Sequence, residues 1–146
     1  MSRKTIVTGV IGSDTHIVGN RILSMALEKA GYKVVALGAL TPAPEFIKAA
    51  IETDADAILV SSLYGQGELD CRGFRDLCVE VGLEDMLLYV GGNLIVGKHP
   101  WPQVEKIFLD MGFDRVAAPG TRAETVLDWL AKDFAARERG LRRAQD

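Results

Sequence analysis

Apolar residues fall along this chain in two rhythms that alternate from one end to the other. Short, nearly continuous apolar runs occupy residues 5–11, 33–38, 57–61, 86–90 and 115–118. That is the pattern of strands buried on both faces. The stretches between them run at helical spacing. Residues 19–30 place Ile22, Leu23, Ala26, Leu27 and Ala30 on one face and stop at Gly31, the usual place for a left-handed C-terminal cap. Thr41-Pro42-Ala43-Pro44 turns the chain into a second helix with Phe46, Ile47, Ala50 and Ile51 inward. A third helix is expected over 69–81, with the stripe Cys71, Phe74, Cys78 and Val81, and an end at Gly82. A fourth, over 102–111, buries Val104, Ile107, Phe108 and Met111, and has Pro102 in its first turn, where a missing N–H costs least. The fifth starts near Ala123 and buries Val126, Leu127, Leu130 and Phe134.

Strict alternation of strands and helices implies a parallel sheet covered on both faces. The right-handed crossover rule then favours an α/β, doubly wound, flavodoxin-like sheet of five strands in the order 2-1-3-4-5. Its switch point lies between strands one and three, so the loops after strands one, three and four converge at one edge. Residues 1–137 are expected to form this single domain, with 138–146 a charged tail that extends the last helix and frays.

Composition narrows the partners. The chain has 146 residues, 48% hydrophobic and 25% charged, with a net charge of −3. Nothing in that balance points to nucleic acid or to an anionic membrane surface. No apolar run approaches the ~18 residues of a membrane span. Residues 1–5 lead straight into the first strand without the apolar core of a signal peptide, so a cytoplasmic location is expected. Cys71 and Cys78, seven residues apart on one helix, would sit roughly 10 Å from each other, too far for a disulfide. Core packing in a reducing compartment is their expected role.

The candidate chemistry gathers after strand one, in Gly9-Val10-Ile11-Gly12-Ser13-Asp14-Thr15-His16-Ile17-Val18-Gly19. An imidazole oriented by a nearby carboxylate is a ready metal ligand, because one ring nitrogen is fixed and the other freed. A helix-capping Asp beside an exposed loop His is the plain alternative. Several other uses of the turn fail. A dinucleotide site needs Gly-x-Gly-x-x-Gly, but the glycines stand at 9, 12 and 19. Asp14 would repel a phosphate. A phospho-acceptor receiver needs an Asp after strand three and a Lys after strand five, where Ser61 and Ala118 stand instead. His16, His99, Cys71 and Cys78 lack the paired spacing of structural zinc. Ser61 and Ser62 lack the Gly-x-Ser-x-Gly elbow of a hydrolase. His99, in Lys98-His99-Pro100-Trp101, reads as an exposed loop histidine. What remains is an uncharged cleft walled by small residues, Gly12, Gly19, Ser61, Ser62, Gly91, Gly92 and Gly97, that admits a bulky ligand close to the backbone.

Asp14-x-His16-x-x-Gly19, then Ser61-x-Leu63, then Gly91-Gly92 resembles the motif set of cobalamin-binding Rossmann-like domains. The runs Ser61-Ser62-Leu63-Tyr64-Gly65-Gln66-Gly67-Glu68-Leu69-Asp70-Cys71 and Gly91-Gly92-Asn93-Leu94-Ile95-Val96-Gly97-Lys98 are closer still to one branch, the small (S or sigma) subunits of glutamate mutase, also called methylaspartate mutase. So are Met111-Gly112-Phe113-Asp114-Arg115 and Pro119-Gly120-Thr121. The resemblance implies adenosylcobalamin as cofactor, bound with its own base displaced and His16 as cobalt's axial ligand. It implies cofactor contacts from Ser13, Asp14, Thr15, His16, Ile17, Gly19, Ser61, Ser62, Leu63 and Tyr64, and from Gly91, Gly92, Asn93, Leu94, Ile95, Val96 and Gly97. The displaced nucleotide tail would thread between the sheet and its helices, with Ser61 hydrogen-bonding its base. The implied reaction is the radical interconversion of L-glutamate and (2S,3S)-3-methylaspartate. A separate large barrel subunit would hold the substrate, in a heterotetramer of two small and two large chains, so the substrate residues belong to that partner. A cobalamin carrier or sensor, and a B12 subunit for a related substrate, remain alternatives at this level.

Overall fold

The computed structural model of the protein describes residues 4–11, 18–38, 41–62, 71–92, 100–118 and 120–138. Five strands, β1 (Thr5–Val10), β2 (Lys33–Ala36), β3 (Ala57–Ser62), β4 (Leu87–Gly92) and β5 (Arg115–Ala117), form one sheet in the order β2-β1-β3-β4-β5. Every pairing is parallel, as the alternating pattern predicts. The described helices are α1 (Val18–Lys29), α2 (Ala43–Thr53), α3 (Phe74–Glu80), α4 (Trp101–Asp110) and α5 (Ala123–Glu138).

Side chains alternate across each strand, so the sheet has two separate cores. One face carries Val7, Ile58, Val60, Leu88 and Val90, packed with Phe46 of α2, Phe74 and Cys78 of α3, and Phe108 of α4. The other carries Ile6, Leu59, Leu87 and Tyr89, packed with Leu27 of α1 and with Val126 and Leu130 of α5. Thus α1 and α5 share one face, and α2, α3 and α4 share the other. Gly9 makes room for Phe46: a Cβ at that position would lie 2.8 Å from the Phe46 ring. On the opposite face, buried Thr8 and Ser24 share a hydrogen bond of 2.9 Å that ties α1 to β1.

The helices turn their apolar stripes more narrowly than the spacing suggests. Ile22 is 58% exposed and Ala30 is exposed, because α1 faces the sheet along the Leu23–Leu27 line and ends at Lys29. Ile51 is 52% exposed at the margin of the buried line Phe46, Ile47 and Ala50. The expected helix over 69–81 is also corrected. Gly73, with φ 80°, breaks the run in the left-handed conformation, α3 starts at Phe74, and Val81 lies past its end at 48% exposure. Gly31, with φ 102°, ends α1 as expected.

Cys71 and Cys78 are both fully buried in the core shared with Phe74 and unpaired with each other. Burial pushes the Cys78 thiol up, and the Asp114 carboxylate adds to this, while Arg75 pulls the other way. The thiolate is the reactive form, so both cysteines should resist a thiol reagent in the folded chain. A thiol titration should register them only after denaturant is added; reaction of either at the native rate of a free thiol would contradict this packing.

At the foot of the sheet, Arg75 holds three segments together. Its guanidinium donates to the backbone oxygens of Gly112 (2.9 Å), Glu84 (3.1 Å) and Met86 (2.8 Å), and to Asp114 Oδ2 (3.0 Å). Asp114 Oδ2 also accepts the Leu88 N–H at 2.9 Å. Gly112, with φ 103°, leaves room for Arg75, since a Cβ there would lie 2.6 Å from the arginine's own Cβ. The starts of β4 and β5 are thereby fixed, and with them the position of the opposite, ligand-facing edge.

Candidate cofactor cleft

In a doubly wound sheet the ligand edge is the carboxyl end of the strands at the switch point, here between β1 and β3. The register places Val10 beside Ser61, Ser61 beside Gly91, and Gly91 beside Ala117. This last full row of the sheet is therefore small from β3 to β5. By alternation, Ser61, Gly91 and Ala117 share the face that α1 and α5 cover, and a large helix over a small row leaves space. A small open cleft, with a void of about 50 Å³, lies there. Its lining includes Ser61, Gly91 and Ala117 from the row, Leu59 and Tyr89 from the layer beneath, Leu23 from α1, and Val126 and Trp129 from α5. A Cβ added to Gly91 would lie 3.0 Å from the Ala117 Cβ, so any side chain there would crowd β5 or fill the space.

The predicted cleft residues separate on inspection. Ser61 and Gly91 are brought together as neighbours across β3 and β4. Ser62, 2% exposed, lies by alternation on the opposite face with Ile58 and Val60. Gly92 pairs with Ser62 and shares that placement. Gly19 lies in the first turn of α1, the next described element after β1. Ser13, Asp14, Thr15, His16, Ile17, Leu63, Tyr64, Asn93, Leu94, Ile95, Val96 and Gly97 lie outside the described residues, as does His99. Trp101 opens α4 and packs, half-buried, against the core on the far face.

Beneath the cleft the structure holds a polar cluster that apolar spacing does not forecast. Asp133, fully buried on α5, accepts from Arg115 Nε at 2.8 Å and from the same guanidinium's second nitrogen at 2.9 Å. Its Oδ2 also accepts from the Tyr89 hydroxyl. Arg115, 5.4 Å over the Trp129 ring, makes a cation–π contact, and the Tyr89 ring meets Trp129 at 87° with centroids 6.0 Å apart. The one available sequence signal was an Asp at i+3 from Leu130 on an otherwise apolar stripe.

Burial raises the Tyr89 phenol well above its usual value of 10.0, and the hydrogen bond to the Asp133 carboxylate adds to it. The folded state thus keeps this proton when the unfolded chain, with a tyrosine pKa of about 10, has lost it. Stability is unaffected below that value and falls as pH rises past it, by up to ~1.4 kcal/mol per pH unit from this group. Urea midpoints taken from about pH 9 to about pH 11 should therefore decline more steeply for the native chain than for Tyr89→Phe. Equal slopes would contradict the burial of this hydroxyl.

A doubly wound domain with a cleft between two helices and the carboxyl ends of the sheet's strands defines a class of cofactor-binding domain. The B12 binding domain family matches residues 4–127, and the chain is a member of that class. Among relatives, it is 64% identical over 134 residues to the glutamate mutase sigma subunit of Clostridium cochlearium, covering 92% of this chain and 98% of that one. The sigma subunit of Clostridium tetani is 62% identical over the same shares of the two chains. The chain belongs to the glutamate mutase sigma subunit family. Its fold also matches a cobalamin-binding protein from Desulfitobacterium hafniense DCB-2, with a TM-score of 0.71 and 20% identity, over 92% of this chain and 58% of that one. Among the described residues there is no cluster of metal-binding side chains and no helix long and apolar enough to cross a membrane.

Proposed function

We propose that this chain is the cofactor-binding component of a glutamate mutase, working in the cytoplasm. It binds adenosylcobalamin with the cofactor's own base displaced, and acts with a large barrel subunit in an assembly of two small and two large chains. The reaction is the interconversion of L-glutamate and (2S,3S)-3-methylaspartate. The observation that carries this reading is the small row Ser61, Gly91 and Ala117, which keeps a cleft open between the sheet and the helices α1 and α5. That cleft is lined mainly by apolar side chains, as suits a heterocycle on a nucleotide tail.

When bound, adenosylcobalamin supplies a carbon-centred radical through homolysis of its cobalt–carbon bond. The chain's own residues have the simpler duties of holding and orienting. His16 would hold the cobalt through an imidazole nitrogen, and Asp14 would accept the ring's other N–H, which would fix the tautomer and raise the ring's basicity. Ser13, Thr15 and Ile17 flank that ligand, and Gly19 keeps the start of α1 bare where the tail passes. The Ser61 hydroxyl can donate to a ring nitrogen of the tail's base, while Leu23, Leu59 and Val126 exclude water from it. Leu63, Tyr64, Asn93, Leu94, Ile95, Val96 and Gly97 would supply the remaining cofactor contacts, next in sequence to Ser62 and Gly92 at the ends of β3 and β4.

The chain should be inactive alone. Mixed with adenosylcobalamin and a glutamate mutase large subunit, it should support glutamate loss matched by methylaspartate formation. Tight cobalamin binding with no turnover alongside any such subunit would favour a carrier or sensor instead.

A further inference from the structure

The ion pair under the cleft is an odd investment for a stable core. A buried carboxylate–guanidinium pair is commonly no more stabilising than apolar side chains of the same volume, because both ions must be stripped of water. What such a pair does supply is fixed geometry. Here Arg115 and Tyr89, which both donate to the Asp133 carboxylate, also touch the Trp129 ring: Arg115 lies over it and Tyr89 meets it nearly at right angles. Trp129 and Asp133 are four residues apart on α5, one turn along the same face. Trp129 in turn lines the cleft from the helix side, facing Ser61 and Gly91, and Tyr89 lines its floor.

We propose that Asp133 is a positioning residue for the cofactor's nucleotide tail: through Arg115 and Tyr89 it holds Trp129 as a fixed wall, so the cleft is shaped for a flat heterocycle before a ligand enters. The proposal rests on the reading of this cleft as the tail's seat. A wall fixed in advance spares the ligand the cost of ordering an aromatic side chain on binding. Loosening it should weaken only ligands that reach the cleft.

The test compares two probes on the whole chain, by spectrophotometric titration: hydroxocobalamin, and cobinamide, the same corrinoid without its nucleotide tail. Asp133→Asn should weaken cobalamin about tenfold, at the lower end of the loss usual for residues that orient a ligand's direct partners. Cobinamide binding should stay within about twofold, because it makes no contact in the cleft. Tyr89→Phe leaves the ion pair in place and should shift the same ratio in the same direction by a smaller factor, which keeps the test sound if Asp133→Asn folds poorly. If the native chain prefers cobalamin to cobinamide and Tyr89→Phe and any folded Asp133→Asn keep that preference unchanged, the positioning role is overturned while the cleft's assignment stands. Equal weakening of both probes would also overturn it, as a general loss of structure. A native chain that binds the two probes equally well would overturn the cleft's assignment and the proposal with it.

Discussion

Gly91→Leu will leave the sheet folded and cut cobalamin affinity by a hundredfold or more, on the order of 3 kcal/mol. The position pairs with Ser61 on one side and Ala117 on the other, and its absent side chain would project into the cleft. With only 3.0 Å between a new Cβ and that of Ala117, the leucine must lean into the space the ligand needs. A two-ring heterocycle the size of an indole buries roughly 200 Å². At ~25 cal/mol/Å² that is worth about 5 kcal/mol, most of which is lost if the tail cannot enter. Crowding of β5 should cost the fold about 1–3 kcal/mol, well short of unfolding a domain of this size. Cobinamide serves as the control, since it does not need the cleft. Circular dichroism and a thermal melt check the fold; unchanged cobalamin affinity in a folded Gly91→Leu chain would show that the tail lies elsewhere.

The largest effect on stability is expected at Asp133. Asp133→Ala strands the Arg115 guanidinium, only 6% exposed, without its carboxylate and leaves the Tyr89 hydroxyl without its acceptor. Breaking one side of a buried pair typically costs about 3–5 kcal/mol. For a chain of this length that corresponds to a melting temperature lower by roughly 10–15 °C. The paired change Asp133→Leu with Arg115→Met should recover most of the loss, because two apolar groups need no partners. A double variant as unstable as Asp133→Ala would mean that the pair is structural glue, not a device for orientation. Chemical denaturation of the single and double variants measures both quantities.

The strand order and the assignment of each helix to a place in the chain were legible because they are written in local rhythm. Parallel strands buried on both faces read as continuous apolar runs, and β1 is buried at every position. Helix faces were legible only to within about one residue in four, since Ile22 and Leu23, or Ile47 and Ile51, satisfy the same spacing and only docking on the sheet decides between them. Gly73 falls inside the run read as one helix over 69–81 and sits at φ 80°, a conformation that no periodicity reveals. The side-chain alternation that parts Ser61 from Ser62 is simple once the strand's register is known, but consecutive serines at a strand end give no register by themselves. Least legible was the cluster of Tyr89, Arg115 and Asp133, whose members are 26 and 18 residues apart and meet only through the β4–β5 pairing and the return of α5. By contrast, Asp14 and His16 are proposed from chemistry and resemblance alone, and both lie outside the described residues.

The central claim is that His16 binds cobalt in place of the cofactor's own base. It can be tested by electron paramagnetic resonance of the chain loaded with cob(II)alamin, prepared once at natural abundance and once from cells grown on nitrogen-15. A protein imidazole on cobalt predicts that the nitrogen splitting of each cobalt line changes from a triplet to a doublet on labelling, and that His16→Ala loses this change. A triplet that persists in the labelled protein would mean that the cofactor keeps its own unlabelled base, and would contradict the account.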